Sequence, residues 1–190
     1  MKLPVSYYEQ DDVVFVAKDL LGKTLITNIN GIKTGGIITE TEAYSEIEKG
    51  CHAYNKRKTE RTKIMFEKGG LSYVYFCYGM HHLFNIVTGN ENNAQAVLIR
   101  AIQPTIGIDE MLKRRKMSKL DKNLTNGPAK VCQALAITKA HYGTELISDE
   151  IWIETSDKKI NKHSIETTPR IGIDYAEEDA LLPWRFVLKL

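Results

Sequence analysis

The chain has little cysteine and no paired cysteine motif. Its 190 residues hold three thiols, Cys51, Cys77 and Cys132. They are widely spaced and none belongs to a CxxC pair, which supports neither a disulfide framework nor a structural zinc site. Long apolar runs are missing as well. The opening MKLPVSYYEQDD reaches acidic residues before any stretch of signal-peptide length, and no later segment approaches the roughly 18 apolar residues of a membrane span. A soluble intracellular protein with reduced thiols is the expectation. Nor does charge of one sign dominate. Lys and Arg total 26 against 24 Asp and Glu, a net charge of +2, and so small an excess says little by itself about nucleic acid. Internal repeats, low-complexity tracts and linkers are also absent, so residues 1–190 read as a single domain.

The placement of charge says more than its sum. Positive residues gather in NKRKTERTK (55–63) and KRRKMSKLDK (113–122), while acidic residues sit mainly at 9–12, 40–48 and 177–179. Each basic run suits a solvated surface or a surface for phosphates. Alternating apolar and β-branched residues predict strands at 24–29, 36–44, 71–78, 82–87 and 96–102. The short connection YGMH after the third of these makes a hairpin tip from which side chains project. Helices are expected at VVFVAKDLLG (13–22), at IDEMLKRRKMSK (108–119), and at NGPAKVCQALAI (126–137), where Pro128 suits a first helical turn. The polar stretch 156–168 reads as an exposed loop or hairpin.

Within ITETEAY, strand alternation sends Glu40, Glu42 and Tyr44 to one face. Two carboxylates on one face raise each other's pKa unless a cation or donors compensate; an exposed pair is merely screened. Arg100 is a guanidinium in the otherwise apolar strand AVLIRAI, and if buried it needs an anion. Glu42 is its natural partner, either in a structural ion pair or in a catalytic one. The run LSYVYFCYGMHHLFN offers Tyr73, Tyr75, Tyr78, His81, His82 and Asn85. Its rings can pack a core or stack on a flat ligand, and the asparagine can test a base edge. Cys51, His52, Cys77, His81 and His82 are metal-ligating residue types, but their spacing fits no short zinc pattern. Two other readings use the same residues. An O-glycoside hydrolase would pair Glu40 with Glu42, although neighbours on one strand face point in parallel instead of flanking a bond. A nucleic-acid-binding module would use the aromatic and basic residues but leaves Glu42 opposite Arg100 unexplained.

The segments AKDLLGKTLI, GGIITETEAY, RTKIMF, YVYFCYGMHHLFNIV, VLIRAIQP, NGPAKVCQALAI, PRIGI and PWRF occur in this order across most of the chain. Together they resemble the alkyladenine (3-methyladenine) DNA glycosylase family, the mammalian type found also in bacteria. With the strand and helix pattern, the resemblance implies an α+β fold. That fold is a single domain in which helices surround a curled, largely antiparallel, open-barrel-like sheet. It implies that Glu42 activates the attacking water, which Arg100 and the backbone carbonyl of Ile171 also hold. Tyr44, His52 and Tyr75 would surround a flipped purine, Asn85 would disfavour ordinary guanine, and Tyr78 would wedge into the duplex. Arg57, Arg61, Lys63, Met80, His81 and Lys130 become candidate contacts to the DNA backbone. The implied substrate is damaged double-stranded DNA, attacked by a monomer without metal or organic cofactor and without strand cleavage. The loop between Tyr44 and His52 is one residue shorter than in the mammalian pattern, and neither neighbour of His52 matches it closely.

Overall fold

The computed structural model describes residues 1–77, 79–156 and 161–189. Among them, eight strands form one antiparallel sheet. They are β1 (Thr24–Ile29), β2 (Ile32–Ser45), β3 (Ser72–Cys77), β4 (His81–Val87), β5 (Gln95–Ile106), β6 (Ile151–Glu154), β7 (Ile165–Thr168) and β8 (Arg185–Leu188). All five strands expected from alternation form. β2 begins earlier than expected because Asn30 and Gly31, at φ 55° and 77°, make a two-residue turn that pairs Ile29 with Ile32. Positive φ at both turn residues matches the right-handed twist of the flanking strands. β7 lies in the stretch read as an exposed loop or hairpin, of which residues 157–160 fall outside the described residues.

β2 organises the sheet. One of its edges pairs with β5 along most of its length, while the other is shared by β1 as far as Ile37 and by β8 at Glu40 to Glu42. The order is β3-β4-β5-β2-β1-β6, with β8 and β7 branching from β2. The sheet therefore forks and stays open, which corrects the expected curled, barrel-like form. Closure requires the end strands to meet, and among the described residues β3 and β6, at the two ends of this order, do not pair.

Two matched irregularities decide which side chains face which way. Ile38 opposes Ile102, Glu40 opposes Ala101 and Thr41 opposes Ile99, so Thr39 and Arg100 each stand as an extra residue. An extra residue reverses the alternation beyond it. Ile38 and Ile102 join Ala43, Val97 and Ile99 in the main core, and the opposite face is left to Glu40, Glu42, Tyr44 and Arg100.

The core face is covered by helices. α1 (Val5–Tyr8) is a single turn that buries Tyr8. α2 (Val13–Asp19) starts at Asp12, whose side chain accepts the Phe15 N–H at 2.9 Å, and it buries Val13, Val16 and Ala17. The Ala17 carbonyl accepts the Thr41 hydroxyl at 2.7 Å, fixing α2 on β2. α3 (Ile108–Arg114) and α4 (Pro128–Ala134) stop before the expected 119 and 137. At each end a residue other than glycine takes a left-handed conformation, Lys116 at φ 53° and Ala136 at φ 58°. The next amides, of Met117 and Ile137, then reach back to Leu112 and Cys132 at 2.9 and 2.8 Å. This backward bond satisfies orphan carbonyls and ends a helix, but with lysine and alanine at the turn the usual glycine signal is missing. Among the described residues, no helix is long and apolar enough to cross a membrane.

Candidate active site

The site lies along one row of paired residues on the sheet face away from the main core. Tyr73 opposes Asn85, Asn85 opposes Leu98, Leu98 opposes Glu42, and Glu42 opposes Arg185. Directly opposed residues share a face, so five strands bring aromatic, amide, carboxylate and guanidinium groups onto one line.

Glu42 is fully buried. Its Oε1 accepts the Ile171 N–H at 2.8 Å, and its Oε2 accepts the Tyr44 hydroxyl at 2.8 Å and Arg100 Nη1 at 3.3 Å. Three donors pointing at one carboxyl group suit the carboxylate, which only accepts. Glu40 is engaged differently: its Oε1 takes Arg100 Nε at 2.8 Å and Arg185 Nε at 2.6 Å. Arg185 is braced in turn by Thr168 Oγ1 at 2.9 Å. Two arginines thus balance two carboxylates, and Glu40 and Glu42 face a shared cation instead of flanking a cleft. Burial pulls the Arg100 pKa down, but the adjacent Glu42 and Glu40 more than reverse this and hold it above its ordinary value.

Tyr44 and Ile171 are positioned by a second ion pair. The Arg170 guanidinium binds both oxygens of Glu48 at 2.7 Å and donates to the Ala43 carbonyl at 3.0 Å. Its guanidinium lies 4.8 Å from the Tyr44 ring centre and 5.3 Å from that of Trp184. Burial, followed by the proximity of Glu42, keeps the Tyr44 phenol well above its usual pKa, so it remains a donor.

In front of this assembly is a cavity of about 280 Å³, bordered by Tyr44, His52, Tyr73, Tyr75, Asn85, Arg100 and Ile171 among others. That is near the lower end of the ~300–1,000 Å³ usual for small-molecule pockets. Glu42 stands behind Tyr44, Arg100 and Ile171. The His52 ring meets Tyr75 edge to face at 4.7 Å, and its Nδ1 lies 2.8 Å from the Tyr73 hydroxyl. Burial, then the charge of Arg61, lowers the His52 pKa to about 4. Asn85 is buried and donates to the Tyr73 carbonyl at 3.1 Å.

The structure thus brings together Glu42, Arg100, Tyr44, His52, Tyr75, Asn85 and Ile171. Ile171 meets Glu42 through its amide N–H, a contact the sequence reading did not include. Of the backbone-contact candidates, Arg61 borders the cavity. Arg57, Lys63, Met80 and His81 are exposed away from it, and Lys130 is half-buried beside Asn126, to which it donates at 2.7 Å. The wedge position, Tyr78, lies outside the described residues. Arg170, Glu48, Arg185 and the cavity-lining Tyr175 were not foreseen; only the PRIGI and PWRF segments pointed near Arg170 and Arg185. Cys51 is buried with its thiol pushed up to about 12, chiefly by burial. Among the described residues, no three His, Cys, Asp or Glu side chains gather in a way that could hold a metal ion.

Comparison with known proteins identifies the family. Residues 6–190 match the methylpurine-DNA glycosylase family. A protein of Chlamydia felis named "Putative 3-methyladenine DNA glycosylase" is 55% identical over 190 residues, covering 99% of this chain and 96% of its own. Proteins bearing the same name from Chlamydia abortus and Bacillus cereus are 52% and 47% identical, each covering at least 98% of this chain and 95% of their own. With a family match over nearly its whole length and relatives this close, the chain belongs to the methylpurine-DNA glycosylase family.

Proposed function

We propose that this DNA glycosylase turns a damaged purine, 3-methyladenine foremost, out of duplex DNA into the cavity before Glu42 and hydrolyses its N-glycosidic bond. The observation that carries this reading is a buried carboxylate, held by Arg100, Tyr44 and the Ile171 amide, directly behind a pocket of purine size lined by tyrosines. The bond is inaccessible inside stacked DNA, so the nucleotide must rotate out at a cost of a few kcal/mol. Tyr78, carried over from the family resemblance, offsets part of that cost by wedging between the neighbouring bases. Lysines and arginines bind phosphate without reading sequence, as repair of scattered lesions requires.

In the cavity, a cationic alkylated purine gains from the electron-rich faces of Tyr44 and Tyr75 what a neutral base does not. Asn85, pinned by its bond to Tyr73, crowds the exocyclic amino group of ordinary guanine. Hypoxanthine, 7-methylguanine and ethenoadenine fall within the same purine class. Glu42 Oε1 has one protein donor, and its remaining acceptor position receives a proton from the attacking water. A small movement of Ile171, half-exposed at the cavity lip, opens that position. As the base departs, the sugar acquires oxocarbenium character, which the carboxylate stabilises while it deprotonates the water. None of the described residues bordering the cavity is a lysine, which favours direct hydrolysis over attack by an amine. The protein then acts as a single-domain monomer, inside the cell where its DNA is, and leaves an abasic site in an uncut strand.

The test is incubation with methylated duplex DNA, followed by chromatography of released bases and by a strand-integrity gel. Free 3-methyladenine with an intact abasic strand is the expected outcome. Failure to release any purine, or cleavage of the strand by the protein itself, would overturn the proposal.

A further inference from the structure

The stacking seat on Tyr75 is taken by a side chain of the protein itself. The Arg61 guanidinium lies 4.7 Å from the Tyr75 ring centre, and its Nη2 is 3.1 Å from His52 Nε2. Guanidinium nitrogens only donate, so Nε2 must accept. His52 is then neutral with its proton on Nδ1, from which it donates to the Tyr73 hydroxyl. The Arg61 backbone is held separately, its carbonyl accepting the Tyr142 hydroxyl at 3.3 Å. The exposed head group can therefore swing while its anchor stays. A planar cation stacked on an aromatic face and bonded to the neighbouring imidazole is an internal mimic of a cationic purine.

We propose that Arg61 is a displaceable plug of the base pocket: it holds the seat on Tyr75 and the acceptor face of His52 until an extruded base takes both. This rests on the reading of the cavity as the seat of a flipped purine, and adds to it a residue that sets how tightly the pocket holds any base. Every base must displace the same guanidinium, so the plug weakens binding of all bases by a common factor. Weakly stacking, undamaged bases then fall below useful occupancy, while a cationic base replaces one cation–ring contact with another. Withdrawal of Arg61 also releases the tautomer of His52. The Tyr73 hydroxyl can rotate to donate to Nδ1, and Nε2–H then donates to the base. One pocket can thus offer either an acceptor or a donor to a purine edge.

The test uses free 3-methyladenine, which carries no phosphate, titrated into the wild-type protein and Arg61→Ala, with ¹⁵N-histidine NMR as readout. Arg61→Gln is carried alongside in case the alanine variant fails to fold. The plug, worth one exposed cation–ring contact and one hydrogen bond, predicts about five- to tenfold tighter base binding in the variants. It also predicts the Nδ1–H tautomer of His52 in the free wild type and a mixture of tautomers in Arg61→Ala. Equal base affinity in wild type and variants, the result expected if Arg61 serves only a phosphate, overturns the plug. So does an unchanged His52 tautomer. If the base binds neither protein, the purine pocket itself fails and the plug falls with it, a result distinguishable from equal, measurable affinities.

Discussion

Arg170 and Glu48 meet in a two-pronged ion pair in which both nitrogen–oxygen distances are 2.7 Å and almost nothing of either side chain reaches solvent. Segments 122 positions apart are locked together. The pair fixes the residue just before Ile171, whose N–H binds Glu42, and the same guanidinium covers the Tyr44 ring. A buried pair of this kind need not add net stability, but breaking it leaves an uncompensated charge. Glu48→Ala should therefore lower unfolding stability by about 3–5 kcal/mol, whereas joint replacement of Glu48 and Arg170 by methionine should recover most of that loss. Urea denaturation of the three proteins measures both. A single variant as stable as wild type would mean that the pair is open to water in solution.

Replacing Tyr78 with Ser removes an aromatic surface worth about 1–3 kcal/mol when stacked on a base. Equilibrium binding to a duplex containing an abasic site should weaken by about tenfold. Unchanged affinity would remove the wedge from the account.

His52 ties the pocket to pH. Its folded pKa of about 4 lies below the ordinary 6.5 because burial, and then Arg61, disfavour the imidazolium. The unfolded chain therefore binds the proton first. The contribution of neutral His52 is fully present above pH ~6.5 and is lost as pH falls toward 4. Comparing urea unfolding of wild type with His52→Gln at pH 7.5, 5.5 and 4 isolates it. The advantage of wild type should shrink by about 3 kcal/mol across that range, and a constant difference would contradict a neutral, buried His52.

Much of this site was legible because the informative residues fall within one regular strand. Alternation puts Glu40, Glu42 and Tyr44 on one face, and it holds because the extra residue at Thr39 comes just before them. Arg100 as a partner for Glu42 followed from a lone cation in an apolar strand. What escaped is held by long-range pairing. β6, β7 and β8 are four residues each, too short for a periodic pattern; β6 forms against β1 and β8 against β2 after long connections, and β7 forms against β8. The helices ended early at Lys116 and Ala136, where residues with ordinary side chains adopt the conformation that glycine usually signals. Glu48 counted only as one of the acidic residues gathered at 40–48, since nothing local announces a partner as distant as Arg170.

Glu42 is the proposed activator of water, and single-turnover release of 3-methyladenine from methylated duplex by Glu42→Gln tests that role most directly. The amide keeps the shape and can still accept from the Ile171 N–H, but it cannot take a proton. Base release should fall by about 10²- to 10⁴-fold while binding to the lesion duplex stays within a few-fold of wild type. Release within tenfold of the wild-type rate would contradict the central role given to Glu42.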